Sequence, residues 1–454
     1  MQLAGTLSLQ SASAKYIAQY LAEGRPEKAS SVVSRVLQVT LLTSLILGAL
    51  LFISAQPMSI IVSGTPEWTP VFQVLAFAST FAILTPQMLG FLQGLQKLRE
   101  LAAVNLIQSV TKHAVAISLL YLGWGLFAVV YGLLVGFLVS VFAGLILTYR
   151  SLGTFEKPHP AKPLINFSYP LYISTVLGFV ASWVDQLFIL PYMGEAGLGV
   201  YGWAVQAASI PNLISVSIVT ALFPQLSELY TKRGKGILRE AFHVSARYGV
   251  LIGFPMFVGL AALAHPVMIV FAGMEYAEAA LPLTIICLAL LPTTIGIGIN
   301  PTLFTLERTK TAALVTLITI FSNATISYIT LAHLRLGMIG PAWARFLTAL
   351  IGLGLGAYAL KRILNVTFDR EALWKASVAC LVMATVVTLS RTLESFVSQQ
   401  YLLPFYVILG GTIYFSSLVV LKAIKKKDVE LVQEYLPKGL KRLAGWLGRI
   451  AFVE

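Results

Sequence analysis

The sequence predicts an all-α polytopic membrane protein, built as two six-helix bundles related by a parallel repeat and followed by two additional transmembrane helices. Three observations carry this: too little charge for a water-facing surface, apolar blocks of membrane-crossing length, and loops whose charge alternates along the chain. Hydrophobic residues make up 57% and charged residues 11% of the 454, with a mean hydropathy of +0.82. A soluble chain carries about 25% charge, so this one cannot coat a globule with polar side chains. The apolar blocks are roughly 20 residues or longer, enough for a helix to cross a ~30 Å hydrocarbon layer. Short alternating strands separated by turns are absent, which argues against a β-barrel.

Complete spans run near 32–54, 70–94, 101–122, 124–149, 164–190 and 198–223, then 240–264, 279–303, 311–332, 338–360, 371–390 and 401–421. Connections are short, and the longest hydrophilic piece is the tail from Lys422 to Glu454. Loop charge tests this threading independently. One set of loops holds Arg25 and Lys28; Lys97 and Arg99; Arg150, Lys157 and Lys162; and Lys232, Arg233, Lys235 and Arg239. The same set continues with Arg308 and Lys310, then Lys361, Arg362 and Arg370, then Lys422 and Lys425 to Lys427. The alternate loops hold Glu67, Glu195, Glu275 and Glu278, and only Arg335 and Arg391 break the pattern. The basic side is cytoplasmic by the positive-inside rule, which also puts the C-terminus in the cytoplasm of a cell-membrane protein. The net charge of +13 is thus a topology signal, and nucleic acid is not an expected partner.

An internal repeat orders these spans. Ala55-Gln56-Pro57-Met58, Ile60, Ile61 and Gly64 align with Ala264-His265-Pro266-Val267, Ile269, Val270 and Gly273, at a separation of about 210 residues. Gln96-Lys97 and Ala102-Ala103-Val104 align with Leu306-Glu307 and Ala312-Ala313-Leu314, and Gly24 with Gly234. Both copies keep one orientation, so the repeat is parallel. The resulting division is a first bundle over 1–163, a second over 164–365, two additional helices over 366–422 and a basic tail over 423–454. The second copy opens with a helical hairpin, 164–223, where the first has only residues 1–21, so the first bundle is expected to be incomplete by one span and part of another. The twelve complete spans thereby imply a pattern of about fourteen.

That count, and an ordered series of residues, resemble the multidrug/oligosaccharidyl-lipid/polysaccharide superfamily of exporters, and within it the O-antigen flippase branch. Trp183-Val-Asp185-Gln-Leu-Phe-Ile-Leu-Pro-Tyr-Met-Gly194 resembles the family's seventh span. Gly199-Val-Tyr201, Ala204, Pro211, Phe223-Pro224, Ser227 and Tyr230 resemble its eighth span and exit. Gly273, Glu275-Tyr276, Ala279 and Leu283 resemble the turn into its tenth. Ala14-Lys15-Tyr16-Ile17-Ala18 resembles the end of its second, where arginine is more usual than Lys15, and Gln186 stands where a base often follows the acid. The resemblance implies two bundles facing a central cavity that opens alternately to each side.

The chemistry of such a cavity must come from polar residues at membrane depth, each of which costs about 2.5–3.5 kcal/mol if charged. Asn105, Gln108 and Lys112 form one helical stripe, with His113 beside it, and Thr316, Thr319 and Asn323 form the matching stripe in the second copy. Arg247 lies about two turns in from the basic side, Arg345 about two turns in from the other, and Lys15 closes the first short segment. Cations outnumber acids, which suits an anionic phosphate or diphosphate headgroup. The candidate substrate residues are therefore Lys112, Arg345, Arg247, Lys15, Asn105, Gln108 and Asn323. Three of these have a plainer reading beside this one: Arg247 and Lys15 can snorkel to the interface, and Lys112 can belong to a buried structural pair. His113 reads as a packed neighbour of Lys112 or as a proton carrier. Asp185 reads as a counter-ion to one of the cations, as a coupling-ion site, or as a polar residue of the outer interface.

No catalytic residue, metal site or cofactor is expected. Cys287 and Cys380 both sit in apolar blocks and read as packing residues. Gly352, Gly354 and Gly356 mimic a nucleotide loop only by letters; Gly352 and Gly356 have the spacing that lets membrane helices approach closely. In the tail, Leu440, Leu443, Leu447 and Ile450 form an apolar face suited to lying on anionic membrane lipids. The expected function is a flippase that moves a polyprenyl-(di)phosphate-linked oligosaccharide for surface glycan synthesis, in company with glycan-assembly enzymes. The alternatives are a cation-coupled drug or metabolite exporter, whose cavity should hold more acid than base, and a membrane glycosyltransferase or ligase, which needs a positioned acid, base or metal.

Overall fold

A computed structural model describes residues 5–154, 156–233, 235–306, 308–392 and 401–423. Gly234, Glu307 and the tail helix over 440–450 lie outside the described residues. Among those residues the regular structure is entirely helical, and the chain is a multi-pass membrane protein. Among the described residues, eleven helical stretches have the length and apolarity to cross a bilayer. One of them, Leu171–Leu213, is 43 residues long, about twice what a bilayer needs. It contains two spans, because Gly194 (φ 68°, ψ −170°) leaves helical geometry inside Ala161–Arg233. The chain divides into two compact units, Met1–Val176 and Leu177–Glu454.

The first unit contains α1 (Leu9–Ala22), α2 (Pro26–Ile53), a short α3 (Ala55–Ser63), α4 (Thr69–Gly94), α5 (Leu98–Tyr121), α6 (Leu126–Leu152) and the start of α7 (161–193). Small residues set its packing. Gly90 and Gly94 bring α1 onto α4 so closely that a Cβ at Gly94 would lie 2.8 Å from the Ile17 Cβ, and one at Gly90 2.7 Å from the Gln10 carbonyl oxygen. The segment too short to span is thus a helix docked on a glycine pair. On α6, Gly132, Gly136, Ser140, Gly144 and Thr148 recur every fourth residue and are all buried. Gly132 and Gly136 receive α5 at Lys112 and Ala116, and Gly144 receives Met88 of α4.

The second unit contains the rest of α7, α8 (195–233), α9 (Lys235–Ala262), a short α10 (Ala264–Ala272), α11 (Ala280–Ile295), α12 (Ile299–Thr305), α13 (Thr309–Tyr328), α14 (Ile339–Leu364), α15 (Arg370–Thr392) and α16 (Leu403–Val420). The repeat is visible in local geometry. α3 and α10 are both nine residues long, each ends on a glycine of positive φ (Gly64, φ 72°; Gly273, φ 98°), and each leads into a 3-10 turn. Gly352 and Gly356 do pack closely: a Cβ would meet Thr319 Cγ2 at 3.1 Å and Ile299 Cγ2 at 2.7 Å. Cys287 and Cys380 are both free and buried in apolar clusters. α15 and α16 pack on α9 through Val250, Phe254, Cys380, Met383 and Tyr406. Arg391, one of the two basic residues that break the alternation of loop charge, donates to the Ala262 carbonyl at the C-terminal end of α9, where a cation complements the helix dipole.

Candidate functional site

The hairpin about Gly194 places Asp185 of α7 level with Tyr201 of α8, so residues that a straight helix would hold about 24 Å apart are in hydrogen-bond contact. Asp185 is 1% exposed. Its Oδ2 accepts the Tyr201 hydroxyl at 2.5 Å and the Arg345 Nε–H; its Oδ1 accepts the Arg345 Nη2–H at 3.0 Å and the Gln186 backbone N–H at 3.1 Å. Nη2 also donates to the Ser182 carbonyl at 3.2 Å. The acid is therefore a saturated carboxylate whose counter-ion is a guanidinium brought in from α14. Sharing two donors with one carboxylate fixes the orientation of Arg345 as well as its charge.

Arg345 is also part of the wall of a cavity of about 410 Å³ within the second unit. Its other walls come from α11 (Thr293), α12 (Asn300), α13 (Thr316, Thr319, Asn323) and α14 (Thr348), interleaved with apolar side chains. That size lies in the range of roughly 300–1,000 Å³ typical of small-ligand sites, as does the mixture of apolar wall and few polar groups. Asn323 donates to Thr348 Oγ1 at 3.4 Å and accepts from Ser327 at 3.3 Å, a bridge that ties α13 to α14 beside the guanidinium. The threonine stripe of α13 thus faces the same cavity as Arg345.

The remaining candidates are elsewhere. Arg247 does not line this cavity: it is 6% exposed and paired with Asp369, Nη1 donating to Oδ2 at 2.8 Å, while Nη2 donates to the Ala423 carbonyl at 2.7 Å. Arg247, an expected substrate contact, joins α9 to the start of α15 and to the segment after α16 through these two contacts. In the first unit, Lys15 is exposed, with Nζ 4.1 Å from the Phe167 ring centroid and 5.3 Å from that of Tyr16. Asn105, Gln108, Lys112 and His113 lie on α5, on which only Val104 is buried. Gln108 and Lys112 are half-buried at the seam with α6, Asn105 and His113 are exposed, and His113 Nδ1 lies 2.7 Å from the Ser109 carbonyl oxygen.

Sequence reasoning placed Tyr201 in a family motif and missed it as a partner of Asp185. The signal was available, because the two residues are nearly equidistant from Gly194 and a hairpin there must bring them level. Thr293, Asn300 and Thr348 gave no signal, being ordinary polar residues of membrane helices.

A family model described as polysaccharide biosynthesis protein matches residues 17–281. Agl15 of Haloferax volcanii, a probable low-salt glycan biosynthesis flippase, is 26% identical over 304 residues, which cover 66% of this chain and 63% of the relative. ExoT of Rhizobium meliloti, a succinoglycan biosynthesis transport protein, is 27% identical over 237 residues, 50% of this chain and 46% of the relative. The matched segments thus span less than two thirds of these curated relatives. The fold is shared with the lipid II flippase MurJ in an inward closed conformation, at a TM-score of 0.73 and 18% identity, over 92% of this chain and 89% of that one.

Proposed function

Because this chain belongs to the polysaccharide biosynthesis protein family, we propose that it carries a polyprenyl-(di)phosphate-linked oligosaccharide across the cytoplasmic membrane by alternating access, for surface polysaccharide or glycan synthesis. On this reading it is a carrier and not an enzyme; its basic loops and C-terminus are cytoplasmic, and glycan-assembly enzymes act before and after it. The names of Agl15, ExoT and MurJ support the substrate class.

The observation that carries the reading is Arg345, a guanidinium at membrane depth that is held by Asp185 and still contributes to a polar cavity wall. A fixed cation in such a place favours a phosphate oxygen, because charge-assisted hydrogen bonds strengthen as water is excluded. Lys112 supports it from the first unit: a half-buried lysine in the middle of a span needs water beside it, since lipid alone would make it costly. The residues proposed to meet the substrate are Arg345, Lys112, Asn323, Asn105, Gln108 and Lys15, with Asp185 as the counter-ion of Arg345.

The test is transport of a fluorescent polyprenyl-diphosphate-linked oligosaccharide by the purified chain in proteoliposomes. Lys112→Met, and separately the pair Arg345→Met with Asp185→Leu, should each slow transport by at least about tenfold, the equivalent of one charge-assisted contact. The paired change leaves no unpartnered buried charge, so insertion and folding should persist. Undiminished transport in both variants would remove the cationic-site reading.

A further inference from the structure

The hydroxyls around the cavity are all turned the same way. Thr293 donates to the Leu290 carbonyl at 2.6 Å, Thr316 to Ala312 at 3.0 Å, Thr319 to Thr316 at 2.8 Å and Thr348 to Ala344 at 2.8 Å. A hydroxyl whose proton is spent on a helix carbonyl has only lone pairs left to offer. Such back-bonded threonines are common singly in membrane helices. Here they converge on one cavity from α11, α13 and α14, and Thr348 already accepts from the Asn323 amide at 3.4 Å.

We propose that this cavity, whose threonine hydroxyls present acceptors beside the Arg345 guanidinium, is a subsite for a sugar ring with unsubstituted hydroxyls. A pyranose supplies what those hydroxyls lack, several O–H donors spread around a ring, and its C–H faces suit the apolar side chains between the threonines, such as Leu290, Val315 and Leu353. A site built to take hydrogen bonds from hydroxyls rejects an analogue lacking them, because its acceptors are then buried without partners. The subsite would therefore set sugar preference, while the cations hold the anionic link. The inference rests on the carrier reading above and deepens it.

The purified full chain in proteoliposomes is given two short polyprenyl-diphosphate lipids, one bearing a hexose with free hydroxyls and one its dideoxy counterpart. The wild-type chain should move the first at least about tenfold faster, as expected for one or two hydrogen bonds. Thr316→Val with Thr319→Val should bring the two rates within about twofold, chiefly by slowing the hydroxylated lipid. Thr316→Ser with Thr319→Ser, which keeps the acceptor oxygens, should retain the preference. Should the valine pair not fold, Thr293→Val alone carries the comparison, with a partial loss of preference expected. Equal wild-type rates, or a preference undiminished by valine, would overturn the subsite while leaving the carrier reading intact. A wild-type chain that moves neither lipid would overturn both.

Discussion

Replacing Asp185 with asparagine would remove the charge facing Arg345 while keeping the side chain's shape. The carboxylate is 1% exposed and accepts four hydrogen bonds, two from the guanidinium, one from Tyr201 and one from the Gln186 N–H. A buried ion pair that loses one partner costs about 3–5 kcal/mol, because the remaining charge keeps its desolvation penalty. Arg345 has 22% of its side chain exposed, so stranding it should fall at the lower end, about 3 kcal/mol. Arg345→Gln strands the deeper group, Asp185, and should cost more, about 4–5 kcal/mol. With both changes no charge is left stranded, so the double variant should cost no more than Arg345→Gln alone, a coupling of about 3 kcal/mol or more in a double-mutant cycle. The assay is unfolding of the purified chain in mixed micelles titrated with sodium dodecyl sulfate, followed by tryptophan fluorescence. Single costs below about 1 kcal/mol, or a double variant equal to the sum of the singles, would refute the reasoning.

Arg247→Ala should cost a similar amount, about 3–5 kcal/mol, by leaving Asp369 without its arginine; limited proteolysis across residues 365–370 should quicken as α15 loosens. Gly94→Leu should lever α1 off α4, since even a Cβ there lies 2.8 Å from the Ile17 Cβ. A cysteine placed at the buried Ala12 should then react with maleimide at least about tenfold faster than in the Gly94 background.

The parts of this molecule that were legible beforehand are those where the membrane makes chemistry expensive. Apolar runs gave the spans, and a charge inside a run, such as Asp185 or Arg345, stood out because it must find a partner or water. Which partner it finds is a different kind of information. Asp369, the partner of Arg247, lies 122 residues along the chain and reads as an ordinary loop acid. A contact of that separation is fixed by helix packing, which one sequence does not display. Gly90 and Gly94, which seat the short α1, were not singled out beforehand, although their spacing is the small-residue spacing that lets membrane helices approach closely. The cavity itself was only half visible: Thr316, Thr319 and Asn323 formed a stripe, but the approach of α11, α12 and α14 that turns a stripe into a wall was not in the spacing.

The two arginine contacts at opposite ends of α15, one from Arg247 of α9 and one from Arg391 of α15 itself, have a mechanical consequence. Arg247 fastens its first residues to α9 through Asp369, and Arg391 fastens its far end to the last carbonyl of α9. A rod pinned at both ends can neither slide nor splay without breaking a buried contact, so α9 and α15 must travel as one strut, with α16 attached through Ala423. Whatever bending the second unit performs is then left to joints outside that strut. The break between α11 and α12 at Gly296–Gly298, which gives Gly296 and Ile297 to the cavity wall, lies outside that strut.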